Sequence, residues 1–140
     1  MRAIKAASIQ FNHAPGDKDF NFEGIGSFVQ DAFAQKVDIL TFPEMCITGY
    51  GHARKLVRAE ITALAEPVPS GSSAQDLLAL ATAHNMTIGA GLIEITKAGQ
   101  LYNTHVVAMP DGRIASHRKL HCFISEHMLS GDPLRAELRY

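Results

Sequence analysis

One run constrains this chain more than any other: Met86-Thr87-Ile88-Gly89-Ala90-Gly91-Leu92-Ile93-Glu94-Ile95. As a strand it is apolar on both alternating faces, so it needs a covering layer on each side. Gly89 and Gly91 fall on one of those faces and allow another backbone to come close. Lys97-Ala98-Gly99-Gln100 then turns the chain, Leu101–Met109 returns, and Pro110-Asp111-Gly112 turns it again. Ile114–His121 reads as the next strand.

Upstream the pattern alternates between strand and helix. Ile4–Phe11 is a loosely alternating strand that ends in a polar loop with Pro15 and Gly16. Asn21 is placed to cap a helix running to about Gln35, with Ile25, Phe28, Val29, Ala32 and Phe33 on one face. Gly24 and Gly26 weaken its first turns by about 1 kcal/mol each relative to alanine. Val37–Phe42 is a short apolar strand. Ser72 with Gln75, or Ser73 with Asp76, offers a capping box for a second long helix. That helix buries Leu77, Leu80 and Ala81, reaches about His84, and stops at Asn85. Strand–helix–strand units followed by antiparallel hairpins define an α/β layered architecture with a mixed sheet.

Composition sharpens the demand for cover. Charged residues make up 19% of the 140, below the usual quarter or so. That shortage suggests more surface to be covered than a free small domain would cover. With too few layers for both faces of the 86–95 strand, an exposed apolar patch and self-association are the expected result. A net charge of −1 and a pI near 6.6 give no footprint for nucleic acid. No basic tract marks a membrane surface, and no apolar stretch reaches spanning length. Cys46 and Cys122, without an apolar leader, fit reduced thiols in the cytoplasm. The pair Gly24 and Gly26 has Val29 where a third glycine would stand and lies inside a helix pattern, so no nucleotide cofactor is expected.

Glu44 carries the chemistry. Pro43 fixes φ and lacks an N–H, so the Val37–Phe42 strand stops there and Glu44 lands just past its C-terminal end. Ligands meet open α/β sheets at such ends, and a carboxylate held by a strand and a proline suits general acid–base work. The plainer reading is a solvated loop glutamate. On the last strand His117, Lys119 and His121 share one face, while Arg118 and Cys122 take the other. If that face points inward, Lys119 needs an anion and Glu44 can supply it. If it points outward, lysine on an exposed edge strand discourages unwanted pairing.

Phe42-Pro43-Glu44 followed by Thr48-Gly49-Tyr50 resembles the glutamate motif of the nitrilase superfamily, the carbon–nitrogen hydrolases. Leu101-Tyr102-Asn103 and His117-Arg118-Lys119-Leu120-His121, with Glu126 after them, extend the resemblance in the same order, and it reaches Asp132. It implies that residues 1–140 are one partial domain, the N-terminal half of a four-layer α-β-β-α sandwich. It also implies hydrolysis of non-peptide carbon–nitrogen bonds in amide, carbamoyl or nitrile small molecules, without a cofactor, by a homo-oligomer. Glu44 would be the proton carrier, Lys119 the stabiliser of negative charge, and Glu126 a supporting acid. The family's nucleophilic cysteine lies further downstream, so this stretch alone should be inactive. Cys46 and Cys122 read as small buried hydrophobes.

Two other readings stand beside this one. A half-fold can serve as a non-catalytic module that pairs with another chain. His117, His121, Glu126 and His127 are all metal-ligand types within eleven residues. They lack the paired short spacing of a structural zinc site and the His-Glu-x-x-His pattern.

Overall fold

The computed structural model describes residues 3–122, 127–129 and 137–139. In chain order the elements are β1 (Ala6–Ser8), α1 (Lys18–Ala34), β2 (Ile39–Thr41), α2 (Tyr50–Ala53), α3 (Arg58–Leu64), α4 (Ser72–His84), β3 (Thr87–Ile95), β4 (Leu101–Ala108), β5 (Ile114–Arg118) and β6 (Glu137–Arg139). They build one mixed sheet with its strands in sequence order. β1, β2 and β3 are parallel, and β3 to β6 continue antiparallel. The parallel pairs need long crossovers, which α1 and the α2–α4 segment provide; the antiparallel pairs need only tight turns.

α1 and α4 pack against each other on one face of the sheet. Ile25, Val29, Leu77 and Ala81 of these helices meet Leu40 of β2, Ile88, Ala90 and Leu92 of β3, and Val106 and Ala108 of β4. The opposite face carries a second, smaller core in which Met45, Ala53 and Ile61 close over Ile93 and Leu101. β3 is therefore buried from Ile88 to Glu94 by residues of this chain alone. The expected bare patch over this strand does not form, because the segment after β2, with α2 and α3, supplies the second cover. Among the described residues, the large exposed apolar side chains are Phe20 and Phe33 on α1, Ile39 on β2, and Ile4, Val57 and Leu129.

Two helix starts differ from the sequence reading. Asp17, not Asn21, caps α1, its carboxylate accepting the Phe20 N–H at 3.0 Å. Asn21 lies within the helix and is fully buried; its amide bonds both backbone groups of Ala14 and the Ile47 carbonyl. It ties the β1–α1 loop to the chain leaving β2. At α4 neither serine forms a capping box, since Gly71 is the N-cap. Glu66 takes over from a distance, accepting the Ser73 N–H at 2.8 Å, the Ser73 hydroxyl at 2.7 Å and the Ser72 hydroxyl at 3.2 Å. A carboxylate at the positive end of a helix is favourable, and Lys18 Nζ at 2.5 Å completes its shell. Leu80 is only partly buried, while Leu77 and Ala81 are in the core. Asn85 ends α4 in the left-handed conformation, φ 49° and ψ 46°.

Candidate active site

The site begins where β2 runs out. Phe42 still donates to Gly89 at 2.8 Å, and Pro43 then ends the ladder. The chain folds back at once: Gly49 N–H bonds the Met45 carbonyl at 2.7 Å, and Ile47 N–H reaches Gly91 on β3 at 3.1 Å. Met45 takes φ 50°, a left-handed conformation uncommon for a side chain with a Cβ. Gly91 makes this path possible, because a Cβ there would lie 2.2 Å from the Met45 nitrogen and 2.9 Å from the Glu44 carbonyl carbon. Glu44 is thereby laid across the face of β3.

Asn103 and Lys119 approach from the antiparallel side. Asn103 stands opposite Ile93 on β4. Lys119 follows the last residue of β5, and its N–H bonds the Asn103 carbonyl at 2.8 Å, so the hydrogen bonding between the strands continues one residue past β5. Glu44 Oε1 accepts Asn103 Nδ2 at 2.6 Å and Lys119 Nζ at 2.6 Å. The hydrogen bond to Glu44 raises the Lys119 pKa above its ordinary value, against a smaller opposing effect of burial. The Tyr50 ring centroid lies 5.7 Å from Nζ, within the range of a cation–π contact. A cavity of about 430 Å³ opens beside the pair, lined by Glu44, Asn103, His105, His117, Lys119 and His121 among others. Burial lowers the His105 pKa, with the neighbouring His117 adding to it.

Arg118 points to the other face, as alternation requires. It forms a two-pronged pair with buried Glu94, at 2.9 and 2.6 Å, and its guanidinium lies 3.9 Å from the Tyr102 ring centroid. Thr104 donates to the same carboxylate at 2.7 Å. Cys46 is fully buried and its thiol is pushed up to about 11 by that burial. Cys122 lies beyond β5 rather than on it, its thiol 3.6 Å from the Lys119 and Leu129 carbonyls, and burial raises its pKa as well. Raised thiols favour the uncharged form, which is the weaker nucleophile.

Glu126 lies outside the described residues. Among those described, no group of three or more His, Cys, Asp or Glu side chains is arranged to hold a metal ion. His117 and His121 line the cavity, while the His127 carbonyl accepts a bond from Arg58 at 3.2 Å. The metal reading of this region therefore has no support. Sequence reasoning missed the contact between Asn103 and Glu44. The available signal was alternation on β4, which puts Asn103 and His105 on the face that carries Gly91 and Ile93.

A carboxylate and an ammonium thus meet across strand ends with a cavity beside them, at the edge of the sheet where α/β proteins commonly meet ligands. The chain belongs to the carbon–nitrogen hydrolase family, whose model matches residues 5–138. It is similar to a nitrilase of Pyrococcus abyssi, 32% identical over 124 residues covering 88% of this chain and 45% of that protein. The human omega-amidase NIT2 is likewise 32% identical, over 88% of this chain and 42% of that protein. In solved structures the fold matches Saccharomyces cerevisiae Nit3, a nitrilase-superfamily member, with a TM-score of 0.78 at 25% identity. That match covers 92% of this chain and 49% of the yeast protein. The chain thus spans about half the length of the relatives it matches, and forms the N-terminal half of their α/β sandwich fold.

Proposed function

We propose that residues 1–140 are one partial domain providing the acid–base half of a hydrolase for amide, carbamoyl or nitrile bonds in small molecules. The observation that carries this reading is the meeting of Glu44 and Lys119 on a single carboxylate oxygen, beside a cavity. In the proposed reaction on an amide or carbamoyl group, Glu44 takes the proton of a cysteine thiol, and the thiolate attacks the carbonyl carbon; a nitrile would first give a thioimidate, which takes up one water before ammonia leaves. Lys119 stabilises the negative charge on oxygen in the tetrahedral intermediate. Glu44 passes its proton to the departing amine or ammonia, leaving a thioester. It then takes a proton from water, the hydroxide attacks, and the thiolate regains its proton as the acid leaves. Cys46 and Cys122 are poor candidates for the nucleophile because burial raises the pKa of both thiols and so disfavours the thiolate. The nucleophile is assigned to a segment outside these residues. Glu126 is proposed to support Lys119, and the working protein is proposed to be a cytoplasmic homo-oligomer.

The test joins residues 1–140 to the C-terminal half of a family relative carrying its cysteine. Turnover of small amides is expected in the joined protein and not in residues 1–140 alone. Glu44→Gln should abolish turnover with the fold intact. Thioester trapping followed by mass spectrometry identifies the nucleophile, and an acyl adduct on Cys46 or Cys122 in residues 1–140 alone overturns the assignment. A folded, joined protein without turnover would favour a non-catalytic half-domain.

A further inference from the structure

We propose that Asn103 is the positioning residue of this site: its side-chain amide locks Oε1 of Glu44 beside Lys119 and leaves Oε2 as the oxygen that exchanges protons. The assignment of Oε2 rests on Glu44 being the proton carrier proposed above; the locking does not. Both donors converge on one oxygen, each at 2.6 Å, and among the described residues Oε2 has no partner. An ionised carboxylate oxygen accepts two such bonds readily.

Lys119 alone is a poor anchor. Its side chain is 35% exposed and that of Glu44 is 41% exposed, and exposed ion pairs hold their geometry weakly. Asn103 is 6% exposed, short, and set in the middle of the sheet, so it loses little freedom on bonding. It also grips the other partner, because its carbonyl accepts the Lys119 N–H at 2.8 Å. One residue therefore sets the carboxylate through its side chain and the lysine through its main chain. An amide suits the task because it donates without charge. A carboxylate in its place would repel Glu44 and compete for Lys119.

Residues 1–140 suffice for the experiment, which reads Lys119 rather than turnover. Competitive acylation of lysines, quantified by peptide mass spectrometry, reports how firmly each amine is held as the ammonium. Exposed Lys97 serves as the internal reference. Asn103→Leu should raise Lys119 labelling relative to Lys97 by about threefold or more, since the freed carboxylate no longer holds the charged form. Asn103→Gln, which keeps the donor on a longer arm, should recover part of the loss. Once Glu44→Ala has removed the carboxylate, adding Asn103→Leu should change Lys119 labelling no further. Asn103→Ala repeats the comparison should leucine prevent folding. Unchanged labelling in Asn103→Leu, or an equal rise in the Glu44→Ala background, overturns the proposal. Absence of turnover in the joined protein would sink the hydrolase reading and leave these labelling results standing.

Discussion

Adding a single methyl group at Gly91 should damage both the fold and the site. The new Cβ would sit 2.2 Å from the Met45 nitrogen and 3.0 Å from the Glu44 Cα. Uncrowded carbon–nitrogen contacts lie near 3.4 Å, so the Glu44–Met45 peptide must retreat by roughly 1 Å. The obstacle is backbone on both sides, with no flexible side chain to swing aside. A 1 Å retreat stretches the Asn103–Glu44 bond from 2.6 Å to beyond the hydrogen-bond range, and strains the Ile47–Gly91 bond of 3.1 Å. Overpacking of about 1–3 kcal/mol and a lost bond of about 1 kcal/mol outweigh the stabilisation of under 1 kcal/mol from a stiffer unfolded chain. Gly91→Ala should therefore destabilise by about 2–3 kcal/mol. Gly26→Ala is the matched control. Nothing lies within 4 Å of its Cβ and it is inside α1, so the same change should stabilise by about 0.5–1 kcal/mol. Urea unfolding followed by circular dichroism measures both. A Gly91→Ala midpoint equal to wild type would refute the claim that β3 and the Glu44 loop touch backbone to backbone.

Glu66 should show its worth through pH. Burial alone would raise its pKa, but the Lys18 ammonium with the Ser73 N–H and hydroxyl outweighs that and holds it below the ordinary 4.5. Its contribution is therefore complete above pH 4.5 and lost as pH falls through the lowered value. Glu66→Gln should destabilise by about 1–3 kcal/mol at pH 7, and the gap from wild type should close in unfolding curves as pH falls through the lowered value. Arg118→Ala leaves the Glu94 carboxylate buried with one partner fewer, and should lower stability by about 3 kcal/mol in urea. Arg118→Met combined with Glu94→Met should lose much less, and equal losses would deny that an uncompensated charge is the cause. Iodoacetamide at pH 8 should label Cys122 before Cys46, which is fully buried and has roughly one thiolate in a thousand at that pH. Prompt alkylation of Cys46 in the folded protein would contradict its burial.

What was legible in the sequence was periodic or conformational. β3 declared itself by being apolar on two faces, and Asn85 and Pro43 ended their elements for reasons local to those residues. Glu44 and Lys119 could be placed at strand ends by counting. What stayed hidden depended on residues distant in the chain. Asp17 and Asn21 are both good caps by type, and only the packing of Asn21 against Ile47 decides between them. The cap of α4 comes from Glu66, six residues before Ser72, which no local motif specifies. The second cover of β3 was illegible because the segment from Gly51 to Glu66 reads as a mixed stretch, with Lys55, Arg58 and Glu60 on a solvated helix face and its inward residues Ala53 and Ile61 widely spaced. The grip of Asn103 on Glu44 spans 59 positions and depends on a glycine making room on the strand between them.

The order of strands in the sheet divides the chain by the distance over which it must search for itself. β3, β4 and β5 are neighbours in sequence joined by tight turns, and can zip as a meander on the microsecond scale of hairpins. β1, β2 and β3 pair in parallel across long crossovers, which is slow because loop closure precedes any reward. Glu44 belongs to the slow part, and Asn103 and Lys119 to the fast part. The carboxylate thus meets its partners only after the two parts have joined along β3, and any local opening at that seam takes the ion pair apart while leaving the meander whole. The same residues that hold the candidate chemistry therefore tie the two parts of the sheet together.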